Sequence, residues 1–269
     1  MKISRRFLLI SSMSLLIVGL YSLSLHYIMA SSGKKMEAAA LAAVRSLDKK
    51  IDQVVDEIYA LPVDVNCAAS KIDEYKGYAY RSTLIRATGI AMVSDIETYI
   101  CSVYGQIYRP SEPPLWNVAS RRDVHIGTSL NTDYFPETSF VVIKESGNVL
   151  RFAYVNPKYV LGHWIMPKLD FATYRFYLGR KRQPLYEKEQ LSSPSGLMSK
   201  LMSKEIARQV KSSRFPFRVG VSLSYGYLTK AAFILLLKWV ALALVSVLLL
   251  AVFFFSLRSL KAKSDQFDE

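Results

Sequence analysis

Hydrophobic and polar positions are unevenly distributed along this chain. Phe7 to Ile28 is a run of 22 residues without Lys, Arg, Asp or Glu, and a membrane-spanning helix needs about 20. Near the other end, Ala231 to Leu257 is interrupted only by Lys238, and the 19 residues from Trp239 to Leu257 carry no charge. Between these blocks the apolar residues are spaced for amphipathic elements. The pattern predicts a first span over 7–28, an outer domain over 29–230, a second span over 231–257, and short tails at 1–6 and 258–269.

Within the middle region, Lys34 to Leu61 is rich in Ala and free of Pro and Gly, and it continues directly from the first span. Val44, Leu47, Ile51, Val54, Ile58 and Leu61 are spaced 3, 4, 3, 4, 3. That is a heptad stripe, and it fits either a dimer stalk or a helix laid on its own domain. Pro62 ends the helix. Asn66 reads as an N-cap, with Cys67 at the first position of a short helix reaching about Lys76 and Gly77 breaking it. A second amphipathic piece covers Tyr78 to Arg86.

From Thr88 the period shortens to that of strands. Gly89–Val93 and Thr98–Val103 predict a hairpin, and Ser139–Lys144 with Val149–Val155 predict another across Gly147-Asn148. Tyr174–Leu178 and Phe217–Leu223 are further strands. Tyr104 to Pro114 reads as loop because of its prolines, and Leu197 to Lys211 as a helix from Leu197, Leu201, Ile206 and Val210. Helices followed by strand pairs predict an α+β fold. It is a membrane-anchored outer domain on a mainly antiparallel, PAS-like sheet, flanked by two transmembrane helices.

Charge sets the expected orientation. Lys2, Arg5 and Arg6 precede the first block; Arg258, Lys261 and Lys263 follow the second. The positive-inside rule then places both termini in the cytoplasm. A cleaved signal peptide is the rival reading of the N-terminal block, but that block exceeds the usual 7–15-residue apolar core. The intervening loop holds 28 Lys+Arg against 19 Asp+Glu, and long loops translocate regardless of charge. Two spans around a large outer domain suit a sensor input in a bacterial inner membrane, with the domain in the periplasm. Lys238 beside Trp239 reads as an interfacial anchor. The basic stretch Arg175 to Arg182 reads as a solvated or lipid-facing surface, or as an anion site. No nucleic-acid partner is expected, because no binding motif accompanies the net charge of +13.

Chemistry-bearing residues are few. His26, His125 and His163 are isolated in sequence, so no metal site and no cofactor is expected. No phosphate loop or nucleophile elbow is present. Cys67 and Cys101 are the only cysteines, and two in a translocated domain invite a disulfide. That bond serves either as a structural staple or as a redox switch acted on by periplasmic thiol-disulfide oxidoreductases.

Asn66-Cys67-Ala68-Ala69-Ser70, Arg81 through Ile90, and Tyr99-Ile100-Cys101-Ser102-Val103-Tyr104-Gly105 together resemble the CSS-motif domain. That family lies between two transmembrane helices at the N-terminus of bacterial cyclic-di-GMP phosphodiesterases. Cys101 and Ser102 match the Cys-Ser-Ser motif; Val103 stands where the second Ser is usual. The resemblance implies a periplasmic input domain whose disulfide and assembly state control a cytoplasmic Glu-Ala-Leu (EAL) phosphodiesterase. Its partners would be the membrane, an EAL domain, and a second copy paired through the helix 34–61. Only 12 residues follow Leu257. The expectation is therefore a chain without catalytic residues, either a stand-alone sensor or one truncated before the EAL domain. A structural membrane protein with a non-regulatory disulfide is the alternative.

Overall fold

The computed structural model describes residues 5–63, 67–81, 85–94, 97–110, 116–129, 139–155, 160–165, 169, 171–180, 182–188 and 204–265. The expectations for Asn66, for Pro113 and Pro114, and for 197–203 lie outside these residues. The chain divides into two units. One comprises residues 33–196 and 205–223; the other holds the terminal helical segments.

Helix α1 (Arg5–Tyr59) has 55 residues, or about 82 Å at 1.5 Å per residue. The first apolar block therefore continues into the domain helix without a break. Helix α3 (Tyr225–Asp265) follows the last strand directly. Both helices have stretches apolar and long enough to cross a membrane. On α3, side chains all around the helix are uncovered: Leu242, Leu244, Val247, Leu249 and Val252 are exposed, and Phe255 is 73% exposed. A soluble protein does not leave so large an apolar surface in water; a lipid-facing helix does. Within this unit, Leu20, Leu23, Ser24 and Tyr27 of α1 and Leu235, Leu236 and Trp239 of α3 enclose a cavity of about 150 Å³.

The larger unit carries two sheets. The first has seven antiparallel strands in the order β3-β2-β1-β7-β6-β5-β4. They are β1 (Ile85–Val93), β2 (Glu97–Ser102), β3 (Gly105–Pro110), β4 (Trp116–Arg121), β5 (Val124–Ser129), β6 (Phe140–Ser146) and β7 (Val149–Val155). The two predicted hairpins are present. β1 pairs with β2 from Gly89↔Ser102 to Val93↔Thr98. β6 pairs with β7 around Gly147, whose φ of 64° suits glycine in a tight turn. The second sheet has the order β10-β11-β8-β9, with β8 (Thr173–Leu178), β9 (Tyr186–Lys188), β10 (Glu205–Lys211) and β11 (Phe217–Ser224).

Alternation along the strands gives each sheet two distinct faces. On the first sheet, Ile90, Cys101, Val142 and Ala153 are buried on the face that meets the helices. There Thr88 Oγ1 donates to the Tyr75 carbonyl of α2 (Ala69–Arg81) at 3.1 Å, and Arg151 Nε donates to the Leu61 carbonyl at 3.3 Å. Arg151 also lies 5.5 Å from the centre of the Tyr59 ring. The opposite face holds Ala91, Ile100, Val141, Ile143 and Phe152, with Val118, Leu150 and Tyr154 packed against them. Phe140, at the start of β6, joins the sheets. Its ring meets Trp164 at 6.0 Å and Phe176 of β8 at 5.7 Å, both edge-on, the favoured geometry for aromatic pairs.

Several expectations change. All six residues of the heptad stripe, five on α1 and Leu61 just beyond its end, are buried within this chain. The stripe is a core face, so a dimer through helix 34–61 would have to use the opposite face. Gly77 does not break α2, which runs on to Arg81 and takes in the first four residues of the expected second piece, while Ile85 and Arg86 belong to β1. Gly is unfavourable within a helix by only about 1 kcal/mol, less than the packing of buried Tyr75 contributes. The expected loop after Tyr104 contains β3, an edge strand whose terminal Pro110 leaves no ladder bond unmade. The expected helix ending at Lys211 is instead strand β10 over its described part. Ile206 and Val210 are four apart, a spacing that puts them on one face of a strand as well as of a helix.

Candidate functional site

Cys67 and Cys101 form a disulfide with a Cα–Cα distance of 5.5 Å. Cys101 lies on β2 opposite Ile90 of β1. Cys67 is not the first residue of α2. It sits two residues ahead of Ala69 with a φ of 40°, a left-handed conformation that L-residues avoid. Cross-linking to the sheet holds it there. Cys101 is 0% and Cys67 8% exposed. Tyr75 Oη donates to the Pro62 carbonyl at 2.9 Å. The end of α1, the segment leading into α2 and strand β2 of the sheet thus form one fastened corner.

Ser102 and Val103 complete this corner. Ser102 is buried, and its Oγ accepts from the Tyr104 N–H at 3.2 Å. Val103 N–H donates to the Thr88 carbonyl at 3.2 Å, a backbone bond that any residue can make. Valine in place of the second Ser therefore leaves the local fold intact. Gly89 is required below it. A Cβ at that position would lie 2.4 Å from the Cys101 carbonyl oxygen and 2.8 Å from Ser102 Cα and from the Phe152 ring.

A second constellation was not legible from the sequence. Val93, Val118, His125, Ile143, Glu145, Gly147, Asn148 and Leu150 line an open groove of about 410 Å³ on the sheet face turned away from the helices. Strand register assembles it: Ser120 pairs with His125, His125 with Ile143, and Glu145 with Leu150. His125 Nδ1 is 2.6 Å from Ser120 Oγ, and Nε2 is 2.8 Å from Glu145 Oε2. His125, isolated in sequence, is thus the middle of a cross-strand chain. Period-2 alternation along β5 and β6 is the one signal that could have brought these residues together.

Within the basic stretch Arg175 to Arg182, Arg175 is engaged inside the fold, whereas Arg180 and Arg182 are exposed. Arg175 donates to Glu187 at 2.8 Å, to Glu205 at 2.6 Å and to Ser222 at 2.9 Å, and Ser222 donates to Glu205 at 2.9 Å. The Arg175 hydrogen bond holds the Glu205 carboxyl below its ordinary range, with Ser222 assisting. Arg175 is therefore neutralised internally, which removes it from any anion site. Among the described residues, no group of three or more His, Cys, Asp or Glu is arranged to hold a metal ion.

Neither a protein-family model nor a curated protein matches the sequence. Solved structures do match in fold. The periplasmic domain of RsbU from Chlamydia trachomatis aligns with a TM-score of 0.50 at 9% identity, covering 76% of this chain and 96% of that one. The sensory domain of the Campylobacter jejuni chemoreceptor Tlp3 aligns at 0.47 and 8%, covering 77% and 99%. The extracellular domain of the histidine kinase rpHK1S-Z16 aligns at 0.48 and 12%, covering 73% and 95%. At these identities the likeness is one of fold. The chain is an α+β protein on a mainly antiparallel, PAS-like sheet, flanked by two helices built to cross a membrane.

Proposed function

We propose that this chain is a transmembrane sensory input module whose outer domain reads a small molecule in the groove of its larger sheet. One observation carries the reading: a groove-bearing domain is joined without linkers to two lipid-type helices. α1 runs through from the apolar block, and Ser224 of β11 is followed at once by Tyr225 of α3. Unbroken secondary structure at both junctions supports a route from the domain to the membrane segments. The basic flanks at residues 2–6 and 258–263 support cytoplasmic termini and a periplasmic domain in a bacterial inner membrane. The disulfide supports an oxidising compartment.

The output of the proposed module is cyclic-di-GMP hydrolysis. The residues around Cys67, Gly89 and Cys101 that resemble the CSS-motif domain support this, and in that family the input controls an EAL phosphodiesterase. In this reading residues 1–269 contribute no phosphodiesterase chemistry, and the disulfide acts as a staple. Its burial favours the staple over direct redox exchange, because a reductant reaches a sulfur only where the fold exposes it.

The test measures cyclic-di-GMP in cells that express the full chain together with an EAL phosphodiesterase encoded beside it or fused to it. Leu150→Trp, which fills the groove, should change the nucleotide level at equal protein abundance. An unchanged level would sink the link between groove and output. Reporter fusions after residue 269 test the orientation, and activity of an export-dependent reporter there would refute it.

A further inference from the structure

We propose that the groove takes a small organic amine, with its ammonium group on Glu145 and its apolar body on Val118, Ile143 and Leu150. This deepens the sensory reading and rests on it. The floor is apolar: Ile143 is fully buried beneath the groove, and Val118 and Leu150 are partly covered. At about 410 Å³ the groove is near the lower end of ligand sites, which restricts the occupant to a small molecule.

The polar groups define the rest of the ligand. Among the described residues, Glu145 is the acid that lines the groove, and no Lys or Arg lines it. In a chain with a net charge of +13 this separation has a structural origin. On β6 and β7 the cations alternate away from the groove: Lys144 and Arg151 point to the helix face, where Lys144 pairs with Asp123 and Arg151 with the Leu61 carbonyl. The basic surplus is thereby kept off the groove, and an anionic ligand would meet a carboxylate with no cation beside it.

Glu145 retains capacity for a donor. A carboxylate offers about four lone-pair sites, and His125 Nε2 takes up one oxygen at 2.8 Å. With Nδ1 on Ser120 and Nε2 on Glu145, both imidazole nitrogens are engaged. His125 is thus a positioning residue, holding the carboxylate against the rim rather than reaching the ligand. Asn148, at the β6–β7 turn, adds a side-chain carbonyl acceptor for a second ammonium hydrogen. An ammonium group with three donors matches this set; a hydroxyl uses only part of it.

The experiment uses the full chain in lipid nanodiscs and calorimetric titration. The probes are butylamine, cyclohexylmethylamine and phenethylamine, each with its matched alcohol and carboxylate. At least one amine should bind the wild-type chain more tightly than its alcohol and carboxylate. Glu145→Gln, with an unchanged thermal transition, should weaken that amine about tenfold or more, the scale of a lost charge-assisted hydrogen bond. Leu150→Trp should abolish binding. Amine affinity untouched by Glu145→Gln would overturn the proposal. So would an alcohol or carboxylate that binds best and is lost in Leu150→Trp, although the groove would then stand as a sensory site. Absence of binding by every probe overturns the amine proposal. If Leu150→Trp also leaves the cyclic-di-GMP level unmoved, the sensory reading falls with it.

Discussion

Removal of the Cys67–Cys101 bond separates a staple from a switch. The bond joins residues 34 apart in sequence. In the chain-entropy model, freeing such a loop stabilises the unfolded state by about 4 kcal/mol. Part of this is offset. Cys67 is held at a φ of 40°, and a non-glycine residue there gains about 1 kcal/mol on relaxing. The net loss is therefore about 3 kcal/mol. For a domain of this size, about 2–4 °C per kcal/mol puts the expected fall in midpoint at about 6–12 °C. Cys67→Ala with Cys101→Ala, followed by intrinsic tryptophan fluorescence in a Trp116→Phe, Trp239→Phe background that leaves buried Trp164 as the reporter, provides the assay. A midpoint within 1 °C of wild type would refute the reasoning.

Reduction kinetics supply the second half of the test. With Cys101 at 0% and Cys67 at 8% exposure, thiol attack requires local or global opening. Reduction by dithiothreitol should be slow in native buffer and accelerate with sub-denaturing urea, in step with loss of the Trp164 signal. Fast reduction that is linear in dithiothreitol and insensitive to urea would mark an accessible, switch-like bond and overturn the staple assignment.

Three further outcomes follow from packing and charge. Gly89→Ala should destabilise the domain by about 2–3 kcal/mol, the upper part of the range for overpacking, because its Cβ meets backbone atoms of Cys101 and Ser102 below 3 Å; urea unfolding checks this. Phe140→Ala should cost about 3–5 kcal/mol, since this fully buried ring meets both Trp164 and Phe176. Glu205→Gln should cost about 1 kcal/mol at neutral pH, a value held down by partial exposure. Glu205 is depressed in the fold below its ordinary 4.5. Its contribution is therefore complete above that value and is lost as the pH falls through the folded value. The gap between wild type and variant should close on acidification, and a gap that widens would refute the assignment.

The sequence was most informative where one physical pattern had one solution. The blocks at 7–28, without charge, and 231–257, interrupted only by Lys238, have the length and hydropathy of membrane spans, and Gly147-Asn148 between two β-rich runs specifies a hairpin. It was ambiguous where two patterns coincide. A 3-4 heptad stripe is the same whether a partner or the helix's own domain covers it, and burial of Val44 through Leu61 settles the choice. Ile206 and Val210 satisfy both periods, so β10 was read as helix. The groove was invisible because His125 and Glu145 are 20 residues apart and meet only through the β5–β6 register. The rest of the groove depends on β1 pairing with β7, which brings Val93 beside Leu150 and which no local signal encodes.

The proposed signalling role also requires that α1 and the strand leading into α3 move together or resist one another, and one buried contact connects them. Ser212, at the start of the β10–β11 turn, donates through Oγ to Asp48 Oδ1 of α1 at 2.6 Å. The same oxygen accepts the N–H groups of Arg214 and Phe215, each at 3.0 Å. Arg214 pairs with Asp52 one turn further along the helix. The two links should differ greatly in worth. Ser212→Ala strands a buried carboxylate and removes the acceptor of two backbone donors, which should cost about 2–3 kcal/mol. Arg214→Ala removes an ion pair whose arginine is 58% exposed, and such surface pairs contribute at most about 1 kcal/mol. Hydrogen exchange should show β11 amides losing protection in Ser212→Ala while keeping it in Arg214→Ala. If Arg214→Ala is the more damaging of the two, the hydroxyl is not the link, and coupling between α1 and β11 runs through the apolar core instead.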